Sequence, residues 1–147
     1  MLCGLLTAAM ASKKPGHPTA EQNPKSDKLC VLVVEDDELV REATVGNVMD
    51  LGHRVLEAAD ANAALQMLDS GTVIDVLFTD VRLPGKNGEQ LAREAWQRQP
   101  ELKVIFTSGG PVPEERPAAT GMSIWLGKPY TWTDLKRAFD ELHPRWE

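Results

Sequence analysis

Residues 29–37 read LCVLVVEDD, a continuous apolar run that ends in three consecutive carboxylates. A short apolar run rich in β-branched residues is typical of a strand buried on both faces. Such strands occur in parallel sheets, in which helices form the crossover connections. Apolar and small residues then recur at helical spacing, and Gly52 stands where that helix should end. This part of the chain therefore predicts the first strand and the first helix of an α/β fold.

The same alternation continues along the chain. Further strands are predicted at 53–58, 74–79, 104–106 and 123–126. Helices are predicted after Asp60 and ending at Gly71, over 88–99, and after Thr131 or Thr133, where Leu135, Ala138, Phe139 and Leu142 form an amphipathic face. Three prolines between 109 and 121 predict that the fourth helix is shortened or irregular. The pattern predicts five parallel strands with helices on both faces of the sheet.

The composition is that of one globular domain. The chain has 147 residues, of which 42% are hydrophobic and 26% charged, so its core needs no disulfide or metal. Its net charge of −6 argues against a nucleic-acid surface. The two cysteines, at 3 and 30, favour a reducing compartment, and we expect a cytoplasmic protein that does not bind membranes.

The domain organisation that we expect is simple. Residues 1–28 are predicted to be a disordered leader, with Met10 as an alternative start, because the polar part of this segment has no apolar period. The apolar stretch 1–11 is too short to span a bilayer, which needs about 20 residues. Residues 29–143 form the domain and 144–147 a tail, which leaves no room for a DNA-binding output domain.

Polar residues gather at the carboxyl ends of the predicted strands, where ligands bind in sheets of this kind. Glu35 and Asp36 follow the first strand and Asp80 follows the third. Carboxylates packed together repel one another, and Mg²⁺, which prefers oxygen ligands, would relieve that repulsion. The alternative is that Asp36 or Asp37 only caps the first helix, which would explain one of these acids and not all of them.

Two further strand ends add a cation and a hydroxyl. Lys128 follows the fifth strand, and Ser108 follows the fourth, although it could also be an ordinary turn residue. A carboxylate nucleophile, a metal site, an ammonium and a hydroxyl together indicate phosphoryl transfer, with an acyl phosphate as the covalent product. The sequence has no phosphate-binding loop of the P-loop type, and Arg82 stands where a phosphatase would have its second acid.

Four ordered motifs carry a resemblance to a known family: VLVVEDD (31–37), FTDVRLPGKNG (78–88), IFTSGG (105–110) and LGKPY (126–130). With these motifs the chain resembles the receiver domain of two-component response regulators, in its single-domain form. The resemblance implies a flavodoxin-like sheet with strand order 2-1-3-4-5. It also implies that phosphoryl comes from a histidine kinase or a histidine phosphotransfer protein.

The resemblance also assigns roles to residues. It implies Asp80 as the phosphoacceptor, Lys128 as its cationic partner and Ser108 as the switch hydroxyl. Trp125 takes the aromatic switch position, and the Lys128–Pro129 peptide is expected to be cis. The implied Mg²⁺ ligands are Glu35, Asp36, Asp80 and the backbone carbonyl of Arg82.

The expected activity is Mg²⁺-dependent self-phosphorylation and dephosphorylation of Asp80, with a conformational signal to a protein partner and no turnover of a small substrate. A homodimer is left open. Two alternatives stand beside this interpretation: an interaction module that works without phosphorylation, and, more remotely, a phosphatase for small phosphoesters. We also expect the Arg82 side chain, at the mouth of the site, to change the dephosphorylation rate.

Overall fold

The computed structural model describes residues 28–111 and 123–142. These residues form five strands and four helices in strict alternation, apart from the β4–β5 connection. In chain order they are β1 Cys30–Val34, α1 Glu38–Asp50, β2 Arg54–Ala58, α2 Ala61–Asp69, β3 Val76–Asp80, α3 Gly88–Arg98, β4 Lys103–Ser108, β5 Ser123–Gly127 and α4 Trp132–Leu142. All neighbouring strands are parallel and their order is β2-β1-β3-β4-β5, which confirms the predicted fold.

Three of the predictions fall on other parts of the chain. These are the leader with its alternative start, the shortened or irregular helix expected between the fourth and fifth strands, and the tail. All three lie wholly or largely outside the described residues. They therefore stay predictions.

The side chains of β1 explain why the sheet is covered on both faces. Every residue of this strand is buried. Because successive side chains of a strand point to opposite faces, they enter two separate cores. Cys30, Leu32 and Val34 pack with residues of α2 and α3. Val31 and Val33 pack with residues of α1 and α4. Burying each such side chain stabilises the fold by about 1.5–3 kcal/mol, so the apolar run at 29–34 specifies a two-sided sheet.

Polar caps fix where the helices begin. Asp37, Asp60, Asn87 and Thr131 each accept a hydrogen bond from a backbone N–H in the first turn of α1, α2, α3 and α4, respectively. A cap of this kind contributes about 1 kcal/mol. The predicted cap at Asp60 is confirmed. The sequence left open whether Asp36 or Asp37 caps α1 and whether Thr131 or Thr133 caps α4, and the structure shows Asp37 and Thr131 as the caps. Asp36 is therefore not needed as a helix cap.

The bounds of two strands differ from the prediction. β3 runs from Val76 to Asp80 rather than over 74–79, so that Asp80 is its last residue, and β4 runs from Lys103 to Ser108 rather than over 104–106. The reason is the strand pairing, which aligns Asp80 with Thr107 and Ser108 with Gly127. Both polar residues are thus held by the backbone ladder of the sheet.

In the part of the chain that the structure describes, no helix combines the length and the apolar character that crossing a bilayer requires.

Candidate functional site

The carboxyl edge of the sheet brings together residues that are far apart in sequence. Glu35 follows β1, Asp80 ends β3, Ser108 ends β4 and Lys128 follows β5. The three residues Glu35, Asp36 and Asp80, which we call the acidic cluster, offer carboxylate oxygens that all lie within 4.8 Å of one another. The parallel topology produces this convergence, because it places the carboxyl ends of neighbouring strands at one edge.

Glu35 is one of the two buried members of the acidic cluster. Its backbone N–H donates to the Ala58 carbonyl at 3.1 Å, and its Oε2 accepts from the Asp37 backbone N–H at 3.1 Å. Burial raises the pKa of the Glu35 carboxyl, and the neighbouring charge of Asp80 acts in the same direction, against the opposing effects of the Asp37 N–H and the Lys128 charge. A cation at this position would offset the burial of the carboxylate.

Asp80 is held from two sides. Its Oδ2 accepts a hydrogen bond from Lys128 Nζ at 3.0 Å, and its Oδ1 accepts from the Arg82 backbone N–H at 3.2 Å. Lys128 Nζ is also 3.8 Å from Glu35 Oε1. Burial lowers the pKa of Lys128, but the hydrogen bond to Asp80 and the charges of both carboxylates outweigh it and raise that pKa overall. Lys128 is therefore held as an ammonium against the acidic cluster.

Backbone contacts fix the segments that carry Lys128 and Ser108. The Lys128 N–H donates to the Ser108 carbonyl at 2.8 Å, and the Lys128–Pro129 peptide is cis, as expected. The Ser108 hydroxyl accepts from the Gly110 backbone N–H at 3.1 Å, the contact of a turn residue. The structure thus places Ser108 at the predicted edge, and its role as a switch stays a prediction.

Trp125 lies on β5 and is half-buried. Its ring stacks on Phe106 of β4 with the centroids 4.6 Å apart, on the core that β4 shares with α2 and α3. The indole Nε1 is buried, and no atom of the described chain accepts a hydrogen bond from it. The aromatic switch role of Trp125 stays a prediction.

The other tryptophans differ in burial. Trp96 is buried and donates from Nε1 to the Leu102 carbonyl at 2.7 Å, which supports the interpretation that it is a packing residue. Trp132 is 46% exposed, and Trp146 lies outside the described residues.

Gly88 is a residue of the site region that the sequence reasoning did not single out. Its N–H donates to the Val81 carbonyl at 2.9 Å, so α3 begins directly against the end of β3. A Cβ at position 88 would collide with the carbonyl oxygen of Asp80 and lie 3.0 Å from Val81 Cα. Only glycine permits this close approach. The signal was the Asn-Gly pair at 87–88, a helix cap followed by a residue without a side chain.

Arg82 is exposed and lines a shallow groove beside the acidic cluster, together with Asp36, Val81, Leu83, Pro84 and Asn87. Its backbone N–H is committed to Asp80. The proposed ligand role of its carbonyl and the effect of its side chain on dephosphorylation stay predictions.

The chemistry of the acidic cluster fits Mg²⁺. Its donors are all carboxylate oxygens, the ligand type that this hard cation prefers, and two of the three residues are buried. Carboxylates that could hold a cation, beside an ammonium, are a set of groups of the kind that phosphoryl transfer requires.

The fold and the site together define a class of α/β domain. Its features are a parallel sheet in the order β2-β1-β3-β4-β5 and an acidic cluster with a lysine at the carboxyl edge of that sheet. The family profile described as "Response regulator receiver domain" matches residues 31–140. The chain belongs to this family.

Relatives and solved structures agree with this assignment. The chain is 34% identical over 140 residues to the sensor histidine kinase AruS of Pseudomonas aeruginosa, covering 91% of this chain and 14% of that protein. It is 36% identical over 85 residues to the sensor kinase CckA of Brucella abortus, covering 57% and 9%. The chain therefore spans only a small part of the curated relatives that it matches.

Among solved structures, the receiver domain of the hybrid histidine kinase CckA is 30% identical, with a TM-score of 0.65, and 77% of this chain and 98% of that one are covered. Chemotaxis protein CheY4 of Vibrio cholerae has a TM-score of 0.71 at 24% identity, with 78% and 98% covered, and it supports the fold alone.

Proposed function

We propose that this receiver domain accepts a phosphoryl group on Asp80 from a phosphohistidine donor, in a Mg²⁺-dependent reaction. The single observation that carries the proposal is the contact between Asp80 and Lys128 at 3.0 Å beside the acidic cluster. Nothing in the packing of the sheet requires three carboxylates and an ammonium at one edge. A phosphoacceptor site requires all four, because transfer depends on positioning and on charge neutralisation.

The transfer step forms one bond and breaks one. An oxygen of the Asp80 carboxylate forms a bond to phosphorus while the P–N bond of the donor histidine breaks, and the bonding electron pair stays on the imidazole nitrogen. Hydrolysis reverses the modification: water attacks phosphorus, the P–O bond to Asp80 breaks, and inorganic phosphate leaves. The carboxylate of Asp80 is regenerated.

Each residue of the site has a defined task in this proposal. The Arg82 N–H orients one oxygen of Asp80, and Lys128 neutralises charge on the other side. Glu35, Asp36 and Asp80, with the Arg82 carbonyl, would hold Mg²⁺, which when bound supplies further positive charge for the phosphoryl oxygens.

The response to phosphorylation completes the proposal. Ser108 would exchange its contact with Gly110 for one with the phosphoryl group, and Trp125 would move with it. Signalling then goes through a downstream protein partner. Receiver domains work with histidine kinases or phosphotransfer proteins; the identity of the partners here, a homodimer and a cytoplasmic location belong to the proposal.

A second candidate is an interaction module that works without phosphorylation. The observations that favour it are the local use of the Ser108 hydroxyl and the stacked position of Trp125. It predicts the same fold and the same family, but no modification of Asp80.

One experiment separates the two candidates. The purified chain is incubated with Mg²⁺ and acetyl phosphate, and the adduct is followed by intact mass spectrometry and by its lability in base. We expect a labile adduct that requires Mg²⁺ and is abolished in Asp80→Asn. Asp75→Asn is the matched control, because Asp75 immediately precedes the amino end of the same strand, and it should be labelled like the wild type. Persistent labelling of Asp80→Asn would overturn the assignment of the acceptor.

A further inference from the structure

Two side chains on one face of α1 reach the two segments that carry the site. Arg41 and Thr44 are three residues apart, so they lie on the same face of the helix. Arg41 contacts the segment that carries the acidic residues, and Thr44 contacts the segment that carries Lys128. These segments lie at opposite ends of the sequence of the domain, and α1 is an element that both of them touch.

The contact of Arg41 is to the backbone of the acidic segment. Its Nη1 donates to the Glu35 carbonyl oxygen at 2.8 Å, and its Nε donates to Glu57 Oε1 at 3.1 Å. The Arg41 side chain is 17% exposed, whereas that of Glu57 is 48% exposed. The guanidinium is thus anchored on β2 and holds the peptide from which the buried Glu35 side chain projects.

The contact of Thr44 is to the segment that follows β5. The Thr44 hydroxyl lies 3.2 Å from the hydroxyl of Tyr130, and either group can donate. Thr44 is buried, and Tyr130 stands two residues after Lys128, directly after the cis proline. The rings of Tyr130 and Phe78 pack in a T-shaped arrangement with their centroids 6.3 Å apart. Packing therefore fixes the Tyr130 ring, and the contact with α1 fixes its hydroxyl.

We propose that α1 sets the separation between the acidic cluster and Lys128, with Arg41, Thr44 and Tyr130 as positioning residues. The inference rests on the proposed phosphoacceptor function. Hydrogen-bonded partners behind a reacting group commonly determine how well it is oriented, and losing one costs about 10–100-fold in metal affinity or activity. Arg41 acts on metal binding, and the Thr44–Tyr130 pair acts on the transfer step through Lys128.

A purely electrostatic role for Arg41 makes a different prediction. A cation beside the acidic cluster repels Mg²⁺, so removing the charge alone would strengthen metal binding. Arg41→Lys keeps the charge and loses the planar pair of donors that joins the Glu35 carbonyl to Glu57. A positioning role predicts weaker Mg²⁺ binding by this variant, and an electrostatic role predicts no change.

The experiment uses the full chain and two measurements. Mg²⁺ affinity is measured by titration of backbone amide shifts in the unphosphorylated protein, and the rate of labelling by acetyl phosphate is measured at saturating Mg²⁺. We expect Arg41→Lys to weaken Mg²⁺ binding about tenfold. Tyr130→Phe and Thr44→Val should slow labelling about tenfold with unchanged Mg²⁺ affinity, and the double variant should be no slower than either one.

Three controls keep the result interpretable. Thr44→Ser retains the hydroxyl and should restore the rate. Thr72→Val removes a hydroxyl that pairs with Ser70 at the opposite edge of the sheet and should change neither measurement. Thermal unfolding of each variant sets a working temperature at which it is fully folded; a variant that does not fold is replaced by its partner in the pair, since Tyr130→Phe and Thr44→Val remove the same bond.

Unchanged labelling in Tyr130→Phe and Thr44→Val, or unchanged Mg²⁺ affinity in Arg41→Lys, overturns the proposal. A wild type that takes up no phosphoryl group overturns the proposed function instead. In that case the Mg²⁺ titration of Arg41→Lys still decides whether α1 positions the acidic cluster.

Discussion

The two ends of β3 carry one aspartate each, and the two aspartates serve opposite purposes. Asp75 immediately precedes the strand and is exposed, and its Oδ2 accepts a hydrogen bond from the Cys30 backbone N–H at 2.8 Å. Asp80 ends the strand and is buried, and its carboxylate faces an ammonium and two other carboxylates. The first aspartate satisfies the backbone of the neighbouring strand. The carboxylate of Asp80 adds negative charge to a cluster of carboxylates, which a cation would stabilise.

The surroundings of the two aspartates show the same contrast. At the amino edge of the sheet, several polar side chains that line an apolar groove are paired within the protein. Gln99 accepts from the Ile74 N–H and donates to the Thr72 carbonyl, and Arg98 pairs with Asp69. At the carboxyl edge the acidic cluster has a single lysine within 4 Å among the described residues. The polar groups named at the amino edge thus have partners within the protein, whereas negative charge at the carboxyl edge is only partly compensated. A ligand is therefore expected at the carboxyl edge.

The largest effect is expected on the labelling rate, when a lysine at the carboxyl edge and a lysine at the amino edge are each replaced by glutamine. Lys128→Gln removes the cation beside Asp80 and should slow labelling by acetyl phosphate about 10²–10³-fold, the usual cost of one lost charge-stabilising group. Lys103→Gln changes a lysine at the start of β4, on the amino edge, and should leave the rate unchanged. Labelling rates at saturating Mg²⁺ check both. Equal rates for the two variants would break the functional distinction between the edges.

The next effect concerns stability. Asp75→Ala leaves the buried N–H of Cys30 without its acceptor and should lower the free energy of unfolding by about 1–3 kcal/mol. Asp80→Ala relieves repulsion in the acidic cluster and should raise the free energy of unfolding in Mg²⁺-free buffer. Urea unfolding of both variants, with and without Mg²⁺, measures the difference, and Mg²⁺ should stabilise the wild type more than Asp80→Ala. A larger loss of stability in Asp80→Ala than in Asp75→Ala would contradict this account.

The fold was predictable because its signals are local. The apolar run at 29–34 and the carboxylates after it need no knowledge of distant residues, and alternation with helices fixes a parallel sheet. The members of the site were predictable for a related reason. Parallel strands bring their carboxyl ends to one edge, so residues such as Asp80 and Lys128 could be placed together before any distance was known.

The supporting contacts were not predictable, because each depends on a distance that the sequence does not encode. Thr44 and Tyr130 are 86 positions apart, and nothing local marks either as the partner of the other. Arg41 looks like an ordinary surface residue of a helix until its contact with the Glu35 carbonyl is seen. Gly88 is similar, since the requirement for glycine arises from the approach of α3 to the Asp80 carbonyl. Strand ends were misjudged where pairing, rather than apolar character, sets the boundary.

The smallest predicted effect concerns Asp134. It tests whether a carboxylate stabilises the fold because it has hydrogen-bond and ion-pair partners, even where it lies close to the carboxyl edge of the sheet. Asp134 lies in the first turn of α4, which begins soon after Lys128, yet it behaves like Asp75 because its charge is satisfied. Its Oδ2 accepts from the Thr131 backbone N–H at 2.9 Å, while the Asp134 N–H donates to the Thr131 hydroxyl at 3.0 Å. The hydrogen bonds with the Thr131 N–H and then with the Thr131 side chain lower the pKa of Asp134; partial desolvation opposes them, and Arg137 lowers the pKa further.

A carboxyl whose pKa is lower in the folded state than in the unfolded state stabilises the protein above its unfolded pKa, and that contribution is lost as the pH falls through the folded pKa. Asp134→Asn should therefore lower the free energy of unfolding near neutral pH, and the difference from the wild type should vanish in acid. Urea unfolding at a series of pH values measures it. Asp140→Asn, which removes only an exposed ion pair with Lys136, is the control and should show a smaller difference. A difference for Asp134→Asn that persists unchanged into acid would mean that the carboxylate acts through its shape and not through its charge, and pairing would then not explain why Asp75 and Asp134 differ from Asp80.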